Sequence, residues 1–193
     1  MTNPHRPLTT LALAVLELLH ERPMHPYELH QTIRDRHTDR VIKLRAGSLY
    51  HTVERLHRTE LIRPVETGRA GRRPERTVYA VTEAGRAVFN QHLRDLVQRP
   101  VEEYPVFGAA MQMLHKLAPD EAVELLEHRA VTLEADLALR DQLLTSLTKR
   151  GVQPAHLIEV EYAQAMVRAE LTWIRQLVED IRSGALPWPD RME

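Results

Sequence analysis

The sequence contains no cysteine among its 193 residues. Its absence excludes a disulfide framework and the zinc ribbons and fingers that depend on thiolate ligands, and it fits a reducing cytoplasm, where we expect the protein to act. The first seven residues have neither the apolar core nor the small-residue cleavage site of a signal peptide. No uninterrupted apolar run reaches transmembrane length, so the sequence predicts no membrane partner.

Common catalytic motifs are also missing. The chain has no Gly-x-Ser-x-Gly elbow, no Gly-Lys-Ser/Thr phosphate loop and no Gly-x-Gly-x-x-Gly fingerprint. Acidic pairs such as Glu102-Glu103 and Asp120-Glu121 stand at expected helix starts, where the helix dipole explains them. There are eleven histidines, but the close pairs do not share a helix face at i,i+4. We therefore expect no enzyme activity, no cofactor and no metal site.

Charge is distributed unevenly along the chain. Residues 1–99 hold 17 Lys and Arg against 11 Asp and Glu, whereas residues 100–193 hold 9 against 16. The basic half also contains eight of the eleven histidines. This asymmetry predicts two domains with separate tasks, 1–99 and 100–193, and makes the first the candidate for a polyanionic partner such as double-stranded DNA.

Residues 46–58 predict a short helix with two different faces. Leu49, Val53 and Leu56 recur at helical spacing and form a buried stripe. The opposite face is short, polar and largely basic, and it consists of Gly47, Ser48, His51, Glu54, Arg55 and Arg58. Such side chains have donors and acceptors that reach base edges in a major groove, which predicts a DNA-recognition helix. A merely solvated helix face is the alternative.

Two helices precede it. Residues 11–19 are apolar nearly all round, and Thr9 or Thr10 can cap a buried helix there that stops before a proline. A second helix is predicted from Tyr27 to about Arg36, with three side chains packing inward, Tyr27, Leu29 and Ile33. Residues 37–45 read as a connection with a brief β-like stretch. Helix, helix, connection and polar-faced helix is the order of a helix-turn-helix domain.

A β-hairpin is predicted next. Two β-prone runs, 61–67 and 77–81, flank a loop rich in glycine and proline. Four arginines lie in or beside that loop, Arg69, Arg72, Arg73 and Arg76. Because they would repel one another without an anionic partner, we expect them to contact phosphates rather than form only a solvated loop. Thr82 then caps a helix that ends at Pro100, which completes a winged helix-turn-helix.

The predicted DNA contacts fall into two kinds. Base edges are expected to be contacted by Ser48, His51 and Arg55. Lys43 and Arg45 precede the positive end of the recognition helix and are expected to bind backbone phosphates. Tyr50 lies on the flank of the helix, where its ring can pack while its hydroxyl reaches a phosphate.

The second domain is predicted to be helical. A short apolar helix is expected over 106–117, a long one from Ala118-Pro119 to a basic last turn before Gly151, and a last one over 155–183 followed by a tail. The last helix carries two apolar stripes. The first contains Val160, Ala163, Val167, Leu171, Ile174, Val178 and Ile181, and the second Tyr162, Met166, Ala169, Trp173 and Leu177. Since one stripe suffices for a monomer, the second predicts an antiparallel homodimer, unless it packs on helix 106–117 of the same chain.

The residues resemble the phenolic-acid-decarboxylase regulator (PadR) family of bacterial transcription factors over about half of the chain. The motifs that carry the resemblance are His25-Pro26-Tyr27-Glu28-Leu29, Gly47-Ser48-Leu49-Tyr50, Leu61-Ile62, Gly71-Arg72-Arg73-Pro74 and Tyr79-Ala80-Val81-Thr82-Glu83-Ala84-Gly85. Glu60 departs from the pattern, since the family usually has glycine there, and the wing is therefore expected to leave the recognition helix at a different angle.

The resemblance implies a repressor, often of an adjacent gene, that is relieved by a small molecule. It also implies that flat aromatic effectors are accepted near the winged domain, which makes Tyr162, Met166 and Trp173 ligand candidates, although plain dimer core explains them as well. The rival function is an adaptor whose winged domain no longer binds DNA and whose acidic helices bind a protein. The basic recognition face and the wing arginines favour the regulator.

Overall fold

The computed structural model describes residues 8–68 and 76–189, without the side chains of residues 40, 67, 68 and 76. Two compact units follow one another, the first ending at Glu102 and the second beginning at Glu103. The described elements of the first are α1 (Thr10–Glu21), α2 (Pro26–Asp35), α3 (Ala46–Arg58), β1 (Ile62–Gly68), β2 (Arg76–Val81) and α4 (Glu83–Gln98). Those of the second are α5 (Val106–Met113), α6 (Pro119–Lys149) and α7 (Ile158–Ser183). The chain is thus mainly helical, with a winged-helix unit followed by long helices.

Helix α1 forms the centre of the first core. Thr9 caps it, because its Oγ1 accepts a hydrogen bond from the Ala12 amide at 3.2 Å. Six of its twelve residues are buried, which confirms the prediction of burial on several sides. The main core residues of this unit are Leu16, Leu19, Met24, Leu29, Ile33, Leu49, Leu56 and Ile62.

Two details of the helix-turn-helix differ from the sequence-based prediction. Leu29 and Ile33 are buried, but Tyr27 is 57% exposed. Tyr27 lies two residues before Leu29, roughly 200° around the helix, so it cannot share their face. The connection over 37–45 also begins with a 3₁₀ helix, Thr38–Arg40, because the carbonyl of Thr38 accepts from two successive amides. The expected β-like stretch forms no strand in these described residues, although Arg45, just before α3, has extended backbone.

The wing is an antiparallel pair, β1 with β2, in which Ile62 faces Val81 and a bulge follows Pro64. Tyr79 pairs on its other edge with Met24, donating to and accepting from it at 3.0 Å in each direction. Pro64 lies opposite Tyr79 in the hairpin and has no amide hydrogen to donate. Because the amide and carbonyl of Tyr79 are both bonded to Met24, the proline costs the hairpin no hydrogen bond at this position. The wing is therefore joined to the turn between α1 and α2.

Helix α3 ends in a Schellman motif that places Glu60 in the left-handed region, with φ of 58°. The Glu60 amide donates to the carbonyl of His57 at 2.9 Å, and the Leu61 amide donates to that of Leu56 at 3.0 Å. The left-handed cap usually supplied by glycine is therefore formed by glutamate here.

Replacing Glu60 with glycine is expected to raise the free energy of unfolding by roughly 0.5–1 kcal/mol, because the strain of a left-handed glutamate exceeds the extra entropy of glycine in the unfolded chain. Urea unfolding measures the change. Thr59→Gly is the matched control, since Thr59 has an ordinary φ of −92° and should lose stability. A loss in Glu60→Gly as large as that in Thr59→Gly would contradict the assignment of strain.

The second unit is built on the antiparallel pair α6 and α7. Its core contains Val123, Leu126, Ala130, Leu171, Ile174, Val178 and Ile181. Ion pairs flank this seam, including Arg129 with Glu170 at 2.6 Å and Arg175 with Glu134 at 2.6 Å. The residues predicted as a free tail do not form one, because Trp188 packs on this core and its Nε1 donates to the carbonyl of Leu117 at 3.0 Å.

Candidate nucleic-acid interface

Helix α3 is fixed in place by its inner face. Leu49, Val53 and Leu56 are each at most 2% exposed, as the sequence predicts. Thr52 completes this face, and its hydroxyl donates to the carbonyl of Ser48 at 2.8 Å. Because the inner side chains are buried in the core around α1, the opposite side of the helix is held rigidly towards solvent.

The exposed side of α3 has a central stripe and two flanks. Gly47, His51, Glu54 and Arg58 follow one another along the stripe at spacings of three and four residues. The side chains of His51 and Glu54 are 84% and 76% exposed, with Nδ1 of the histidine 3.6 Å from Oε2 of the glutamate. The sequence places Glu54 and Arg58 on this face, although the predicted DNA contacts do not include them.

The other three predicted contacts on α3 lie on its flanks. Ser48 and Tyr50 are exposed on opposite sides, with Tyr50 44% exposed. Arg55 is half-buried, and its Nη2 donates to Oγ1 of Thr9 at 3.2 Å. That hydroxyl also caps α1, so Arg55 ties the recognition helix to the start of the first helix. The structure thus separates Arg55 from the central stripe with which the sequence grouped it.

Basic side chains of this unit are of two kinds. Arg22 is hydrogen-bonded to Glu28 at 2.5 Å, and Arg36 holds both oxygens of Glu21 at 2.5 and 2.8 Å. Among the described residues, Lys43, Arg45 and Arg58 have no ion-pair partner, and all three are exposed. Lys43 and Arg45 stand just before the first turn of α3, where unpaired amides and the helix dipole also favour an anion.

The paired arginines have shifted pKa values that agree with structural roles. Their hydrogen bonds to Glu28 and Glu21 raise the pKa of Arg22 and of Arg36, and the bond from Arg22 lowers the pKa of Glu28. A depressed carboxyl pKa means that the ion pair between Arg22 and Glu28 is present at neutral pH and is lost when acid protonates Glu28. These two arginines therefore form exposed ion pairs between the ends of α1 and α2.

The sequence predicts phosphate contacts for four arginines of the wing. Arg69, Arg72 and Arg73 lie outside the described residues, and for Arg76 only the backbone, at the start of β2, is described. Their predicted contact with phosphates rests on the sequence. The described strands do fix the base of the wing, because His57 of α3 packs on Tyr79 of β2 with ring centroids 5.6 Å apart.

The three ligand candidates on α7 are not gathered into one place. Trp173 stands edge-to-face to Phe107, with centroids 6.3 Å apart. Tyr162 is 65% exposed and Met166 50% exposed, and the helical rise separates Tyr162 from Trp173 by roughly 16 Å. The alternative in which the second stripe packs on the short apolar helix is thus observed at Trp173, while the other end of the stripe is open.

Two findings concern other kinds of site. Within residues 8–68 and 76–189, no three His, Asp or Glu side chains are grouped so that they could hold a metal ion. Over the same residues, no helix combines the length and apolar character needed to cross a membrane.

Comparison with known proteins gives a family match for part of the chain. Residues 15–91, from the middle of α1 to the middle of α4, match the model of the transcriptional regulator PadR-like family. Through this stretch the chain is similar to the PadR-like family. The matched PadR-like segment contains α2, α3 and both strands of the wing, and the family consists of transcriptional regulators.

Solved PadR structures have the same fold. PadR of Bacillus subtilis in complex with operator DNA has a TM-score of 0.74 and 18% sequence identity, covering 91% of this chain and 99% of that one. The same protein in complex with p-coumaric acid gives 0.69 and 17%, over 90% and 99%. A PadR-like regulator from Bacillus cereus gives 0.62 and 18%, over 91% and 99%. No curated protein sequence matches the chain significantly. At these identities the likeness shows the fold.

Proposed function

We propose that this PadR-like chain is a transcriptional repressor, acting in the cytoplasm, that binds a pseudo-palindromic operator as a homodimer and is released by a small-molecule effector. The observation that carries the proposal is the rigid, exposed outer face of α3, preceded by Lys43 and Arg45, which have no ion-pair partner among the described residues. A helix with this shape and charge fits a major groove and reads base edges while the flanking cations hold phosphates. The crystal structure of PadR from Bacillus subtilis in complex with operator DNA supports the same function.

The test is an electrophoretic shift with the DNA upstream of the chain's own gene, measured against unlabelled competitor. The regulator is expected to remain bound in excess random DNA and to release the probe when unlabelled operator is added. An adaptor with an inactive winged unit would give no sequence-dependent shift at any salt concentration. Transcription from the same promoter with and without the protein then distinguishes repression from activation.

Dimerisation is supported by apolar side chains that a single second unit leaves open. On α6 and α7, six large apolar side chains are at least half exposed: Leu125, Val131, Leu139, Ile158, Tyr162 and Met166. Exposed apolar groups in such number on long helices are typical of a surface that another protomer covers. A two-fold dimer would present two α3 helices to two half-sites.

Truncation after Arg99 is expected to leave a folded monomer, because the first unit has its own core, and to weaken operator binding by about 100-fold or more through loss of the second half-site. Sedimentation and DNA titration measure the two effects. The full-length double variant Tyr162→Glu with Met166→Glu is the matched control, and it should behave like the truncation. A full-length chain that is monomeric at micromolar concentration would contradict the dimer.

The effector is proposed to be a flat aromatic molecule that contacts Tyr162, Met166 or Trp173. PadR from Bacillus subtilis has been solved with p-coumaric acid, and an exposed tyrosine and methionine can cover an aromatic ring when two protomers meet. Tryptophan fluorescence, titrated with phenolic and polycyclic compounds, tests this in Trp188→Phe, so that Trp173 alone reports. No response across a broad panel, in a dimer that still binds operator, would remove the effector from the proposal.

A further inference from the structure

One acid interrupts the DNA-facing surface. Glu54 lies in the central stripe of α3, between His51 and Arg58, and its side chain is 76% exposed. Its contact with His51, at 3.6 Å, is the one ion pair that the described residues give it. The phosphates of a bound duplex would repel a carboxylate in this position, and this repulsion opposes binding.

We propose that Glu54 determines specificity by accepting a hydrogen bond from the N4 amino group of a cytosine in each half-site, and by disfavouring DNA that offers no such donor. This inference rests on the proposed function. A carboxylate accepts hydrogen bonds and cannot donate them, so in the major groove it needs an exocyclic amino group. Cytosine fits better than adenine, because the N7 acceptor beside the adenine amino group repels a carboxylate.

The position of Glu54 suits this role better than those of the flanking side chains. The buried inner face fixes the direction of the stripe, and a glutamate at its middle projects along the same radius as His51 and Arg58. Arg55 is instead engaged by Thr9. Where a cytosine amino group is present, its hydrogen bond offsets the repulsion from phosphates; elsewhere the repulsion is uncompensated. The acid therefore lowers binding to random DNA more than binding to the operator.

The experiment is selection of binding sites from a random duplex library with the full-length protein, followed by titration of the selected operator and its single-base variants. The wild type is expected to select cytosine at one position in each half-site. Glu54→Ala should lose that preference, reduce operator discrimination there by roughly 10- to 100-fold, and bind random DNA about 3- to 10-fold more tightly. Glu54→Gln should shift the preference to adenine, because an amide pairs with its N6 and N7 atoms.

Arg58→Ala is the matched control, since Arg58 lies one turn further along the same stripe, and it should weaken binding without losing the cytosine preference. If the wild type selects an operator but Glu54→Ala and Glu54→Gln keep every base preference, the inference about Glu54 is overturned and the proposed function stands. If the wild type selects no sequence, the proposed function fails and the inference with it. Unchanged thermal unfolding of the variants separates both results from misfolding.

Discussion

Replacing Gly85 with alanine is expected to destabilise the winged-helix unit by about 3 kcal/mol or more, the largest stability effect of any small substitution proposed for it. A Cβ atom at Gly85 would lie 2.1 Å from the carbonyl oxygen of Leu61 and 2.9 Å from Cγ2 of Val81. The Leu61 carbonyl already accepts from the amide of Thr82 at 3.0 Å and from its hydroxyl at 3.1 Å. Leu61 joins the end of α3 to the first strand of the wing. An alanine at position 85 can therefore be accommodated only if α3 or the wing moves.

Gly47→Ala is the matched control, since no atom beyond its chain neighbours and the backbone of its own helix lies within 4 Å of the added Cβ. It should keep or raise stability by up to about 1 kcal/mol, because alanine favours a helix over glycine. Urea or thermal unfolding of both variants measures the difference. Similar stability losses at the two positions would show that the close packing of Gly85 on the Leu61 carbonyl does not stabilise the connection between α3 and the wing.

Substitutions in α3 and in the wing are expected to weaken DNA binding in different ways. Ser48→Ala and His51→Ala remove side chains held on a rigid helix, so each should cost on the order of 1–3 kcal/mol on the operator and much less on random DNA. Changing both Arg72 and Arg73 to alanine should weaken binding to every duplex and reduce the salt slope by roughly one to two per protomer. Titrations on operator and scrambled DNA, at two or more salt concentrations, measure both.

Arg55→Ala needs a control of its own, because its bond to Thr9 gives it a structural contact as well as a predicted base contact. Thr9→Val removes the acceptor for Arg55 together with the cap of α1, so it measures the structural effect without touching the predicted base contact. If the double variant Arg72→Ala with Arg73→Ala loses sequence preference, while Ser48→Ala and His51→Ala weaken binding equally on every duplex, then the wing reads the sequence and α3 holds the backbone.

Much of the winged-helix unit could be predicted because its signals are local. The apolar stripe of Leu49, Val53 and Leu56 gives the bounds of α3, and Thr82 caps α4 by accepting from the Gly85 amide at 3.0 Å. A capping hydroxyl and a stripe of period 3.6 act within one or two turns, so the sequence alone contains them. The face of α3 that is free for DNA follows from the same stripe.

Contacts between distant parts of the chain could not be predicted in this way. Arg55 and Thr9 are 46 residues apart, and Trp188 and Leu117 are 71 apart. The sequence therefore predicts a base contact for Arg55 without showing its bond to Thr9, and it predicts a tail where Trp188 in fact packs on the core. Glu60 shows a third kind of limit, because the surrounding hydrogen bonds impose a left-handed conformation that its own preference opposes.

The most direct test of the account is the affinity of wild type and His51→Ala for operator and for scrambled DNA, measured in parallel at two salt concentrations. The account predicts that the wild type prefers the operator at both concentrations and that His51→Ala loses roughly 5- to 150-fold on the operator with little change on scrambled DNA. Equal affinity of the wild type for both duplexes, or an equal loss on both in the variant, would contradict sequence recognition by α3.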